Sequence, residues 1–156
     1  MALRTILNKS DEALYKKCRP VEKFDERLHT LLDDMKDTLY NADGAGLAAP
    51  QVGILRRACV IDVGEGYIEL INPQIIKTSG EQKGVEGCLS CPGEWGYVTR
   101  PMYVTFKAQD RFGKEYEKSV EGLFARCVLH ECDHLDGKVF LDLVTEWVDP
   151  KELEEK

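Results

Sequence analysis

Residues 121–140 read EGLFARCVLHECDHLDGKVF, and the way this run is read decides what the rest of the chain must fold around. After Gly122 the residues Leu123, Cys127, His130 and His134 recur at steps of four, three and four. That spacing places them on one side of a helix, and Asp136-Gly137 supplies its stop. The stripe predicts that both histidines face inward with Leu123 and Cys127, where an imidazole without a partner is costly. Residues four apart stack, so His130 and His134 can aim ring nitrogens at one point. Glu131 lies about 100° around from His130. This is the layout of two metal ligands beside a general base that acts on a water at the metal. A bare His-x-x-x-His is more often a pair of ordinary hydrogen-bonded histidines. The inward stripe and the position of Glu131 favour the metal.

A catalytic site of this kind takes three protein ligands and keeps an open position. No histidine follows His134, and His29 is the one histidine before the pair. Downstream the candidates are Asp136, Asp142, Glu146, Asp149 and Glu152. Asp136 is too near His134 to reach round, and the others are ordinary surface types. The alternative is a cysteine from upstream.

Working outward from this helix, the 156 residues fit one domain, 1–156, with room for a substantial core. The chain is 43% apolar and 31% charged with a net charge of −7. That is the balance of a soluble globular protein without the basic surface that grips phosphates, so no nucleic-acid partner is expected. The acidic end DPKELEEK reads as a solvated tail. No apolar run is long enough to span a membrane, and MALRTILNKS lacks the pattern of an export signal. The cytoplasm is the expected location. The six cysteines then read mostly as small buried residues, with one or two available to a metal.

From Phe24 to Tyr40, the residues Phe24, Leu28, Leu31, Leu32, Met35 and Leu39 form an apolar stripe that predicts an N-terminal helix. Asp43-Gly44 should close it, with the glycine in the left-handed turn. Then the period changes. RRACVIDV, YIELINPQII and MYVTFKAQD are short, rich in β-branched and aromatic residues, and bounded by Gly, Asn or Pro. In the last, Met102, Val104, Phe106 and Ala108 alternate with polar neighbours, as in a strand with one buried face. DRFGK is a turn, and EYEKSVEG pairs back as a hairpin. The order of helix, strands and second helix predicts an α+β domain, its mostly antiparallel sheets enclosing the central helix that carries HECDH.

Two further stretches stand out. In EGCLSCPG, Cys88 and Cys91 form a C-x-x-C, a spacing used in zinc half-sites and redox pairs. No second C-x-x-C completes a structural zinc site, and no strand-then-helix setting supports a thioredoxin-like motif. Two cysteines at a strand end is an equally good reading, and a single thiolate ligand stays open. GAGLAAPQVG, Gly44 to Gly53, lacks the lysine of a phosphate loop. It reads as a tight connection of small residues, or as one that lets a substrate backbone approach while Gln51 offers an amide donor.

Taken together, Gly44–Gln51, Glu86–Ser90 and His130–His134 resemble, in order, the three motifs of the peptide deformylases: Gly-φ-Gly-φ-Ala-Ala-x-Gln, Glu-Gly-Cys-φ-Ser and His-Glu-φ-Asp-His. The flanking segments are similar too, and the resemblance covers nearly the whole chain. SDEALY at residues 10–15 departs from the Asp-Pro of many members, at the edge of the fold. The short tail suggests the compact bacterial type. The resemblance implies that Cys88, His130 and His134 bind one divalent ion, Fe²⁺ natively, with Zn²⁺, Ni²⁺ or Co²⁺ able to replace it. It implies Glu131 as general base and acid, the Gln51 amide and Leu89 N–H as oxyanion donors, and Gly46 at the substrate-backbone edge. The implied substrates are N-formylmethionyl nascent peptides, with the ribosome near its exit tunnel a candidate partner. Two rivals remain. One is a metalloendopeptidase with a downstream carboxylate as third ligand. The other is a non-enzymatic module in which Cys88, Cys91 and the histidines close a four-ligand site.

Overall fold

The computed structural model describes residues 2–149 and 151. Helix α1 spans Glu26–Asn41 and begins where the Asp25 side chain accepts from Leu28 N–H, an N-cap that leaves Phe24 just outside the helix. Its stripe of Leu28, Leu31, Leu32, Met35 and Leu39 is buried as expected. The closing turn differs from expectation. Asp43, not Gly44, takes the left-handed conformation, with φ 54°, a region that a short polar side chain tolerates. Gly44 instead lies against Leu89, where a Cβ would come within 2.8 Å of Leu89 Cδ1 and make that side chain shift.

Five strands form the larger sheet: β1 (Gly46–Ala48), β2 (Ala58–Ile61), β3 (Ile68–Ser79), β6 (Tyr103–Gln109) and β7 (Glu115–Glu121), in the order β1-β2-β3-β6-β7. Every pairing is antiparallel. The β6–β7 hairpin closes around the DRFGK turn, and Val104, Phe106 and Ala108 are its buried face. Beyond the expected strands lies a second sheet, β4-β5-β8, from β4 (Gln82–Cys88), β5 (Cys91–Arg100) and β8 (Glu146–Val148). Beyond allowing Cys88 and Cys91 at a strand end, the sequence delimits no strand in these segments.

Helix α2 spans Gly122–Leu135, and its first residue, Gly122, is left-handed, φ 62°. Successive residues of β1 and β2 face opposite sides of the larger sheet. Leu47, Ala58 and Val60 therefore pack on α1, whereas Ala48, Cys59 and Ile61 pack on α2. From its other side α2 sends Arg126 and His130 to Glu86 of β4, so the two sheets enclose the helix as expected. One member of the predicted stripe is misplaced: Leu123 is 59% exposed, and burial begins at Phe124 and Ala125. A helix covered on several sides buries residues all round, so one stripe describes it poorly. Gly137, φ 75°, provides the stop after Leu135. Among the described residues no helix is long and apolar enough to cross a membrane.

Candidate metal centre and active site

Four elements converge on one point. Helix α2 supplies His130, Glu131 and His134, which are 7%, 3% and 0% exposed. Cys88 ends β4, and Leu89 and Ser90 form the turn into β5. Gln51 lies on the 3-10 helix Ala49–Val52, directly after β1. One ligand atom each from Cys88, His130 and His134 lies within 4.8 Å of the others, and Cys88 Sγ is 3.3 Å from His134 Nε2. Cys91 does not join this cluster among the described residues, and neither does any downstream carboxylate. Asp136 pairs instead with Arg57 at 3.0 Å. Asp142, Glu146 and Asp149 are exposed, and Glu152 lies outside the described residues, as does most of the acidic tail.

The side chains around the cluster fix its orientation. His130 Nδ1 lies 2.5 Å from Glu86 Oε1, which leaves Nε2 as the ring nitrogen open to a ligand. A carboxylate on the far side of a ligating histidine sets its tautomer and raises its basicity. Glu86 in turn accepts from Arg100 at 2.6 and 3.0 Å and from Arg126 at 2.8 Å, and Arg100 also reaches Asp133 at 2.9 Å. Burial alone would push the Glu86 carboxyl up, but His130 and Arg100 hold it well below the usual carboxylate range. Sequence reasoning gave no role to Glu86, Arg100, Arg126 or Asp133. The available signal was that Glu86 and Asp133 sit inside two of the quoted motifs.

Glu131 is buried against the cluster, and its Oε1 has no hydrogen-bond partner among the described residues. Burial pushes its carboxyl up to about 7, opposed by His130. His134 is pushed down to about 3 by burial and then by His130, which keeps it neutral, the form that ligates metal. Interaction with the Cys91 thiol and then burial raise Cys88, and the same interaction lowers Cys91. A coordinating cation displaces such a thiol proton outright.

On the other flank, Gln51 Oε1 accepts from Ala48 N–H at 2.9 Å. That contact turns Nε2 toward the cluster, where it donates to Ser90 Oγ at 3.0 Å and lies 3.5 Å from Cys88 Sγ. Gly46 faces Glu131 directly, since a Cβ there would be 2.6 Å from Glu131 Oε2 and 2.7 Å from Cys127 Sγ. The predicted site residues Gly46, Gln51, Cys88, Leu89, His130, Glu131 and His134 thus gather in one region.

A buried His-Glu-x-x-His helix with a thiol alongside, held between antiparallel sheets, is the layout of a metal-dependent hydrolase. The polypeptide deformylase family profile matches residues 3–149. A peptide deformylase of Caldicellulosiruptor bescii is 59% identical over 156 residues, spanning 100% of this chain and 94% of that protein. Crystal structures agree. A peptide deformylase from Legionella pneumophila superposes with TM-score 0.89 at 47% identity, covering 99% of this chain and 90% of that one. The enzyme from Thermotoga maritima superposes with TM-score 0.91 at 39% identity, covering 93% and 99%. The chain belongs to the peptide deformylase family. Its activity is that of these metallohydrolases, the removal of the formyl group from the N-terminal formylmethionine of new polypeptides.

Proposed function

We propose that Cys88, His130 and His134 hold one divalent ion, Fe²⁺ natively and replaceable by Zn²⁺, Ni²⁺ or Co²⁺, and that residues 1–156 act as one catalytic domain in the cytoplasm. The observation that carries this reading is the convergence of three donor atoms within 4.8 Å, with Glu131 on one flank and Gln51 on the other. Two imidazoles and a thiolate suit these borderline ions. The Glu86 contact, which leaves His130 Nε2 free, supports a metal there as well.

When bound, such an ion would supply Lewis acidity at this cluster and ease the ionisation of the attacking water. Glu131 would accept the proton of the attacking water and later deliver it to the departing amine. Gln51 Nε2, held in orientation by Ala48 N–H, and the backbone N–H of Leu89 donate to the oxygen that gains charge at the formyl carbon. Losing one such donor costs about 10²–10³ in rate. Among the described residues strand β1 pairs only with β2, which leaves its other edge for an extended peptide that adds as a strand beside Gly46. The substrates are N-formylmethionyl nascent peptides, met near the ribosomal exit tunnel, with an N-terminal methionine-like residue required and the following positions broad. A formyl group carries only hydrogen beyond its carbonyl, so a tight pocket admits it and excludes acetyl.

Formate release from formyl-Met-Ala, measured on anaerobically purified protein alongside elemental analysis, tests this reading. Glu131→Ala should keep the metal and lose about 10²–10⁴ in turnover. Cys88→Ala should lose the metal itself, and retention of the ion by that variant would overturn the ligand set.

A further inference from the structure

We propose that Cys88 and Cys91 are a redox-active pair, a modification site at which peroxide joins them in a reversible disulfide. Its consequence for the enzyme rests on the reading of Cys88 as a metal ligand. The two cysteines are direct partners across the β4–β5 hairpin, closing the turn of Leu89 and Ser90. Residues opposite each other in an antiparallel pair share a face, with Cα atoms about 4.5–5.5 Å apart. A disulfide needs about 4.4–6.8 Å.

This pairing is built by an irregularity. Between the pairs Glu86↔Gly96 and Cys88↔Cys91 the ladder shifts register, and Pro92, Gly93 and Glu94 bulge out of β5. Gly93, φ 79°, takes the left-handed conformation that the excursion needs. Without the bulge Cys88 would face Glu94. The mechanism of hydrolysis leaves Cys91 unused, because its sulfur is outside the three-donor cluster. It is 2% exposed and packs with Leu14, Val98, Val139 and Phe140, with Cys88 resting on the same cluster. Cys88 is half-buried, so a small oxidant meets it first.

The chemistry closes without further reagents. Peroxide accepts two electrons from the Cys88 sulfur, giving a sulfenic acid and one water. The Cys91 sulfur then attacks the sulfenic sulfur, forming the S–S bond and releasing a second water. An external dithiol reverses the step by exchange. In the disulfide Cys88 no longer ligates, so the ion is lost and hydrolysis stops. Cys91 also intercepts the sulfenic acid before it reaches the irreversible sulfinic state.

The full chain, stripped of metal by a chelator, would be treated with excess hydrogen peroxide, alkylated and digested with trypsin. Residues 84–107, bounded by Lys83 and Lys107 because trypsin does not cut before Pro101, carry both cysteines on one peptide. In the wild type this peptide should be lighter by two hydrogens and resist alkylation, and dithiothreitol should restore both thiols and metal uptake. Cys91→Ser should release formate at the wild-type rate before oxidation. After peroxide its Cys88, located by fragmentation of the peptide, should carry added oxygens, and dithiothreitol should recover metal uptake at least about tenfold less well. A wild-type protein whose Cys88 gains oxygen while Cys91 stays alkylatable, or a Cys91→Ser protein that recovers fully, would overturn the pair alone. A disulfide formed in protein that still takes up its ion would overturn the ligand reading, and the switch with it.

Discussion

At Gly46 a single missing methyl group keeps the reaction site open. A Cβ would press on Glu131 Oε2 at 2.6 Å and on Cys127 Sγ at 2.7 Å, and both neighbours belong to a buried helix that cannot give way freely. Gly46→Ala should therefore displace the Glu131 carboxylate while sparing the ligand cluster, and a displacement near 1 Å costs about 10² in rate. The expected result is a fall of that size in kcat/KM for formyl-Met-Ala at unchanged metal content. An alanine variant with full activity would remove the steric argument. The glycines of GAGLAAPQVG could be read from the sequence as places of close approach, but not what approaches them. Asp43 makes the same point in reverse: the sequence points to Gly44 for the left-handed turn, yet Asp43 takes it, and Gly44 lies against the Leu89 side chain.

At the scale of elements, legibility followed how regularly each segment is buried. The alternation of β6 and β7 and the stripe of α1 were readable because each buries a single face. The β4–β5 hairpin was not. Its strands carry Gly, Pro and charged residues, and its buried positions include Glu86 and Arg100. What holds it to α2 is ionic: Glu86, 5% exposed, accepts from Arg100 of its own hairpin and from Arg126 and His130 of the helix. Removing one partner from such a group leaves the others buried and uncompensated, at a cost of about 3–5 kcal/mol. Glu86→Gln should lose stability on that scale in urea unfolding. It should also weaken metal affinity about 10–100-fold, because His130 loses the carboxylate that orients it. A loss under about 1 kcal/mol with affinity intact would mean that the hairpin is held by apolar contacts instead.

Over the whole molecule the cluster of Cys88, His130 and His134, which could hold a metal ion, is a junction between layers. Cys88 comes from the smaller sheet and His130 and His134 from the enclosed helix, while Gln51 follows an end strand of the larger sheet. The order of motifs along the chain points to the candidate residues. Only folding reveals that the set bridges two sheets, because the register that brings Cys88 to His134 is a property of the pairing. An ion at this junction binds the folded chain and has no preformed site in the unfolded one, so its binding free energy adds to stability. At about 1,000 times its dissociation constant it contributes about 4 kcal/mol. For a chain of this size each kcal/mol moves Tm by about 2–4 °C. Chelation should therefore lower Tm by about 8–16 °C, and readdition of Ni²⁺ or Zn²⁺ should restore it. Cys88→Ala should melt at the same temperature with and without chelator. If the wild type also ignores chelation while its metal is demonstrably removed, the ion is not a link between the layers, and the two sheets are joined by the Glu86 network and the α2 core alone.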